Sequence, residues 1–218
     1  SLAQIRLEFV WLLMTSRLPI LTSATSVASQ AHIADSLLSF LKTETNDLST
    51  SSATRVLCVQ LTYQCVATLR EIAFGDSAAS NRVIPNAALL DIVHVMDKPQ
   101  RIVFDTIAVV VSKHFPGITA RLDDSSDEVA IEALQAMALA SRLIGGVTDM
   151  NFGSLCQKLL FLATTPGSAY SFVASVEDVL RQFAVLDSVQ FLRALGKLGW
   201  QRKGHKITSF SLTQMNLS

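Results

Sequence analysis

Apolar residues recur at helical spacing through the middle of this chain, with short turn sequences between the helical segments. Residues 66–73 and 85–96 form two such segments, and residues 97–100 then interrupt the pattern before a third begins at Ile102. The alternation returns over residues 122–138, where an acidic turn precedes another apolar helix. Helix–turn–helix units that recur in this way bury their apolar faces by stacking on one another. The pattern therefore predicts stacked helix pairs, which offer long surfaces to partners rather than a deep pocket.

Apolar periodicity and helix start signals together predict an all-α chain. Pro85 and Pro99 suit the first turn of a helix, where a missing amide hydrogen costs little. Ser125 and Glu128 match a capping box, in which each side chain satisfies a backbone donor at the helix start. The predicted helices cover residues 2–15, 27–43, 52–74, 85–96, 99–114, 126–144, 152–164, 173–184 and 187–198.

The composition indicates a large apolar surface that something must bury. Half of the residues are hydrophobic and 17% are charged, below the roughly 25% charged residues of an average soluble domain. Either the helices are buried on more than one side, or an apolar surface is left for a partner. No run approaches the roughly 18 apolar residues of a membrane span, so we expect no membrane partner.

Residues with reactive side chains are sparse and do not form recognisable motifs. Cys58, Cys65 and Cys156 show no metal-binding spacing, and no histidine lies in a metal-ligand pattern. The acidic residues around positions 123–128 are best explained by the positive end of a helix dipole, and His114 by a helix C-terminus. We therefore predict a protein without catalytic activity, metal or cofactor, located in the cytoplasm or nucleus with buried free thiols.

Residues 122–138 resemble the second helix of a HEAT or armadillo repeat. In these families a short Asp-rich turn precedes a Val, and small and large apolar residues then alternate along the packing face. Residues 67–111 resemble an armadillo unit as a whole, and residues 31–41 and 191–198 are weaker echoes. The residues that match the second helix are Val129, Ala133, Leu134 and Met137, after the turn at 124–128.

The resemblance implies an irregular right-handed α-solenoid of HEAT/armadillo-like helix pairs over residues 1–198. An ordinary helical bundle is the alternative, because heptad-like apolar residues can imitate such repeats. Armadillo proteins that hold extended peptides use a ladder of Asn side chains along a groove. None of the matched positions in this chain is Asn, so the resemblance favours a more general docking scaffold. Those positions are Glu71, Ser112, Leu139 and Lys197.

The C-terminal end differs in charge from the rest of the chain. No acidic residue occurs after Asp187, and residues 199–218 are predicted to form a basic tail that is extended or bound to a partner. Trp200 adds an aromatic ring beside the positive charges, as in surfaces that bind nucleic acids or acidic peptides. A solvated tail, or one that pairs with the acidic body, explains the same residues. The basic residues are Arg193, Lys197, Arg202, Lys203 and Lys206.

These observations predict a non-catalytic scaffold or adaptor that binds a partner helix or peptide along a helical-repeat surface. One alternative is a nucleic-acid-associated helical domain that uses the basic C-terminal segment. Another is a helical regulatory part of a larger enzyme. Self-association would also cover the apolar surface. The candidate contact residues are Arg70, Glu71, Arg193, Lys197, Trp200 and Arg202.

Overall fold

The all-α prediction is confirmed by a computed structural model, which describes residues 26–47, 50–74, 83–144, 152–165 and 167–201. These ranges contain eight α-helices and no strand. A single 3₁₀ turn, Arg121–Asp123, follows the fourth helix. The helices are α1 (Val27–Asn46), α2 (Ser52–Phe74), α3 (Asn86–Val95), α4 (Lys98–Ala120), α5 (Asp127–Ile144), α6 (Phe152–Ala163), α7 (Tyr170–Leu186) and α8 (Ser188–Gln201).

Most helix starts lie where the sequence predicted them. Helix α2 coincides with the predicted helix 52–74. At the start of α4, an Asp97 side-chain oxygen accepts the Gln100 amide hydrogen at 2.8 Å, and Pro99 occupies the first turn. Asp187 caps α8 in the same way, through a 2.9 Å bond from the Gln190 amide. The predicted helix 2–15 lies outside the described residues.

Helix α4 is longer than the sequence predicted. The prediction ended this helix at His114, because Pro116 lacks an amide hydrogen and disfavours a helix interior. In the structure α4 continues to Ala120, and Phe115 and Ile118 are buried beyond the predicted end. Their burial offsets the lost backbone hydrogen bond. His114 therefore lies within a helix and is 5% exposed, instead of standing at a helix end.

Two compact units make up the chain, residues Ser1–Asp149 and Met150–Ser218. In unit 1, α1 packs on α2 and α4 packs on α5. Helix α1 also contacts α4, and α2 contacts both α4 and α5. In unit 2, each of α6, α7 and α8 contacts the other two. The predicted domain 1–198 spans both units, and the predicted tail begins within α8, which continues through residues 199–201.

Helix α5 is the most deeply buried helix of unit 1. Its residues are buried around most of the helix circumference, and small side chains alternate with large ones. Alanines let neighbouring helices approach closely, while Leu134 and Met137, both at 0% exposure, fill the space between them. The buried alanines are Ala130, Ala133, Ala136, Ala138 and Ala140. This core fixes α2 and α4 against α5.

One described segment, Lys98–Asp123, is long and apolar enough to cross a membrane by length and composition alone. The mean hydropathy of its most apolar 18-residue window is 1.3, and 44% of that window is buried inside the protein. The segment comprises α4 and the 3₁₀ turn, and α4 packs on α1, α2 and α5. Core helices of globular proteins pass the same test, so the finding is weak evidence for a membrane span.

Candidate partner-binding site

Helix α8 has one face packed in unit 2 and another that is open to solvent. Phe191 and Ala194 are each 2% exposed and face the interior of unit 2. Val189 and Leu192, in contrast, are 57% and 58% exposed. The exposed residues follow the spacing of three and four that places side chains on one side of a helix. We call this surface the outer face of α8; it consists of Val189, Leu192, Arg193, Gly196 and Lys197.

The outer face combines an apolar row with a basic edge. Val189, Leu192 and Gly196 form the row, and the exposed side chains of Arg193 and Lys197 lie one position further along. Branched aliphatic side chains at this exposure gain free energy when a partner removes them from water. The two cations favour a partner with negative charge, mostly through orientation and association rate. The surface therefore combines an exposed apolar row with a positively charged edge.

The two remaining C-terminal candidates lie at the limit of the described structure. The backbone of Trp200 belongs to α8, but its side chain is outside the description, and Arg202 lies outside the described residues altogether. Arg193 and Lys197 are thus the candidate residues that the structure places together, one helical turn apart on the outer face.

Arg70 and Glu71, the candidates from unit 1, have opposite environments although they are neighbours on α2. Arg70 is 5% exposed, and its guanidinium carbon lies 5.8 Å from the centre of the Phe74 ring. Burial and, second, the charge of Arg142 lower the pKa of Arg70 to about 10. The side chain is still cationic at neutral pH, but it belongs to the interior. Glu71 is exposed.

The other positions matched to an armadillo groove are also divided between surface and interior. Leu139 on α5 is only 7% exposed, because α5 is enclosed by its neighbours. Ser112 on α4 is half-buried. Helix α5 therefore does not line an open groove. The exposed candidate residues Glu71, Arg193 and Lys197 lie on α2 and α8 instead.

A buried ion pair at the α4–α5 turn was not foreseen from the sequence. Arg55 on α2 donates two hydrogen bonds to the Asp124 carboxylate, at 3.1 and 3.0 Å, and a third at 2.8 Å to the Thr50 carbonyl. The Ser126 amide also donates to Asp124, at 3.0 Å. The side chains of Arg55 and Asp124 are 9% and 3% exposed. We call this group the Arg55–Asp124 clamp.

The clamp holds a charged carboxylate in a buried place. Burial alone raises the pKa of Asp124, but hydrogen bonds from Arg55 and the Ser126 amide, with the charges of Arg55 and Arg121, outweigh it and lower the pKa overall. The sequence explained Asp124 only by the positive end of the α5 dipole; the structure shows the local bond from the Ser126 amide and adds a buried partner, Arg55, on another helix. Asp127 and Glu128 are exposed in the first turn of α5, where the helix dipole favours acids.

A second polar cluster joins α1 to α4. His114 Nε2 and Asp35 Oδ1 lie 2.7 Å apart, and Lys113 Nζ donates to both Asp35 oxygens at 2.8 and 2.7 Å. Hydrogen bonds from Lys113 and then His114 lower the pKa of Asp35. A His–Asp pair also occurs in hydrolases, where the histidine activates a serine or cysteine. Within the described residues, no hydroxyl or thiol is hydrogen-bonded to His114. The contacts that the structure shows connect Asp35 on α1 with Lys113 and His114 on α4.

The three thiols are buried. Burial raises the pKa of Cys58, Cys65 and Cys156 to about 12 in each case, and a thiol rather than a thiolate is a poor nucleophile and metal ligand. Across the described ranges, no three His, Cys, Asp or Glu side chains are grouped as metal ligands.

Comparison with protein-family models, curated proteins and solved structures finds no match for this chain.

Proposed function

We propose that this chain is a non-catalytic scaffold or adaptor whose partner protein docks on the outer face of α8. The exposed pair Val189 and Leu192 beside Arg193 is the observation that carries this proposal. Helix α8 is already packed through Phe191 and Ala194, and the described residues of unit 2 leave this second apolar row more than half exposed. Arg is enriched among the residues that dominate binding energy at protein interfaces, and the two exposed aliphatic side chains beside it add apolar area that a partner can remove from water.

The partner that fits this face is an amphipathic helix or peptide with carboxylates along one flank. Its aliphatic side chains would cover Val189 and Leu192, and its carboxylates would lie near Arg193 and Lys197. In helix packing of this kind, the contacting side chains are spaced three and four residues apart. A nucleic acid would use the two cations but would gain little from the apolar row, because phosphate contacts dominate its binding.

Unit 1 would contribute the rigid body of this scaffold. The contacts of α1 with α4 and of α2 with α5 join equivalent helices of two pairs, α1–α2 and α4–α5, which α3 separates along the chain. This pattern supports a HEAT/armadillo-like stack, and it is how neighbouring repeats bury a continuous core. We propose that unit 1 is such a stack of two pairs.

Affinity capture with matched variants tests the docking proposal. Leu192→Asp and Arg193→Glu each alter the outer face, while Val109→Asp places the same charge on α4 at a residue that is 63% exposed. We expect a partner protein that is retained by the wild type and by Val109→Asp but lost with both outer-face variants. Retention of every partner by Leu192→Asp and Arg193→Glu would refute the role of this face.

Nucleic-acid binding is the competing outcome, and its dependence on ionic strength distinguishes it from the docking of a protein. The wild type and the Arg193→Glu variant would be compared for binding to duplex DNA and single-stranded RNA at low and high ionic strength. Our proposal expects no binding that depends on Arg193. Strong binding at low salt that is lost at high salt and with Arg193→Glu would assign the face to nucleic acid instead.

A further inference from the structure

A partly enclosed cavity lies within unit 1 between α1, α2 and α4. Its volume is about 20 Å³, counted as the space that the centre of a water-sized sphere can occupy. A cavity needs roughly 10–15 Å³ by this measure to hold one water molecule. The cavity therefore accommodates one occupant about the size of a water molecule, and it is too small to enclose a phosphate or a sulfate.

Basic side chains from three elements line this cavity. Lys42 comes from α1, His114 from α4 and Arg121 from the 3₁₀ turn. Asp35 binds His114, and Asp124 lies 3.8 Å from Arg121 Nη1, so both carboxylates offset part of the positive charge. Lys42 forms no ion pair with any carboxylate of the described residues. No described carboxylate neutralises the charge of Lys42, and the resulting net positive charge around the cavity favours an anion.

Arg121 supplies a donor for which the described residues provide no partner. Its Nη1 donates to the Thr45 carbonyl at 2.9 Å, whereas its buried Nε–H has no hydrogen-bond partner among those residues. Buried donors in folded proteins are nearly always satisfied, by protein groups, water or ions. Thr45 and Thr62 also line the cavity, but their hydroxyls donate to carbonyls of their own helices. The Arg121 Nε–H and the Lys42 ammonium are therefore two donors at the cavity for which the described residues supply no acceptor.

Gly117 leaves room for Lys42 beside the cavity. A Cβ atom added at Gly117 would lie 3.2 Å from Lys42 Cδ, closer than ordinary van der Waals contact. The Lys42 stem therefore crosses α4 at the one residue without a side chain, in the part of α4 that the sequence predicted not to be helical. This packing holds a cation at the cavity although Lys42 is exposed overall.

We propose that this cavity binds a single small inorganic anion of the halide class. The Arg121 Nε–H and the Lys42 ammonium would be its donors, and Leu38, Val59 and Ile118 would exclude bulk water from one side. Charge-assisted hydrogen bonds are stronger than neutral ones, so the anion would stabilise the junction of α1, α2 and α4. Because it binds the folded state only, it would raise the unfolding temperature as the halide concentration rises above its Kd.

Bromide soaking of crystals of the whole chain, with anomalous scattering, tests the site directly. The expected result is one bromide peak in the cavity of the wild type. Thermal unfolding in sodium chloride, sodium bromide and sodium gluconate at equal ionic strength provides the solution measurement. We expect higher unfolding temperatures in the two halides than in gluconate.

Lys42→Met is the deciding variant, and Lys98→Met is its control, since both side chains are exposed and Lys98 lies at the other end of α4. The halide affinity should fall at least about tenfold with Lys42→Met and stay unchanged with Lys98→Met. Absence of a bromide peak, or an identical halide effect in Lys42→Met, would overturn the proposal. A general salt effect on the fold would appear equally in all three proteins and would count against it.

Discussion

Helices α5 and α8 are both apolar, but they use their apolar residues in different ways. On α5, 12 of the 18 residues are buried, and partners from α2 and α4 cover most of its circumference. On α8, Phe191 and Ala194 are buried while Val189 and Leu192 stay exposed on another face. The alanines of α5 permit close packing inside unit 1, whereas the exposed row of α8 has the cations Arg193 and Lys197 beside it.

The difference separates residues that hold the fold from residues that are free to bind. Substitutions around α5 should lower the free energy of unfolding, because they leave cavities or unpaired charges. Substitutions on the outer face of α8 should leave stability almost unchanged and alter binding. The following predictions test this division in decreasing order of expected effect.

Removing the carboxylate of the Arg55–Asp124 clamp should have the largest effect. Asp124→Ala leaves the buried guanidinium of Arg55 without its partner, and we expect the free energy of unfolding to fall by about 3–5 kcal/mol. Urea denaturation followed by circular dichroism measures this change. Asp178→Ala is the control, because its side chain is 63% exposed in a pair with Arg181, and it should change stability by less than about 1 kcal/mol. Equal losses in the two variants would contradict the assignment.

Leu134→Ala should be the next most damaging change. Leu134 is 0% exposed on α5, so truncation should cost about 2–5 kcal/mol. Leu192→Ala deletes the same atoms on α8 at 58% exposure and should stay within about 0.5 kcal/mol of wild type. The two urea midpoints compare an interior and an outer-face leucine directly. A similar loss in both would mean that the outer face is packed.

Acid should weaken the clamp within a defined pH range. The pKa of Asp124 is lowered in the folded state, relative to about 3.9 in an unfolded chain. The contribution of the carboxylate is therefore complete above the unfolded value and is lost as the pH falls through the lowered folded value. Urea midpoints of wild type and Asp124→Asn, measured at decreasing pH, should converge in this range. A constant difference at all pH values would contradict the prediction.

The reactivity of the thiols toward a labelling reagent should report how stably α8 packs through its buried face. Cys156 lies on α6, which packs on α8, and burial raises its pKa to about 12. We expect no reaction of Cys58, Cys65 or Cys156 with a maleimide at neutral pH until urea unfolds the chain. Mass spectrometry of labelled peptides measures each thiol. Early labelling of Cys156 alone would show that α8 detaches from unit 2.

The sequence predicted the helices well because their start signals are local. Asp97 with Pro99, and Asp187, act within one turn of the helix that they begin. The end of α4 was wrong because Pro116 is tolerated only through burial of Phe115 and Ile118, which depends on helices distant in sequence. The Arg55–Asp124 pair spans 69 residues, and no local pattern identifies it.

The candidate site was predicted in part. The absence of acidic residues after Asp187 indicated Arg193 and Lys197, and the structure shows both on one exposed face. Val189 and Leu192 were missed, although α8 carries more apolar residues than one buried stripe requires. Arg70 looked like a surface residue from its repeat position, but its burial depends on the tertiary packing of α2.

A charge-swap binding measurement tests the central claim most directly. Fluorescence anisotropy would follow two labelled amphipathic helices with the same leucine row, one flanked by Glu and the other by Lys. We expect the wild type to bind the Glu helix. The double variant Arg193→Glu and Lys197→Glu should bind it about tenfold more weakly and prefer the Lys helix. Equal affinities for the two helices in both proteins would contradict docking on the outer face of α8.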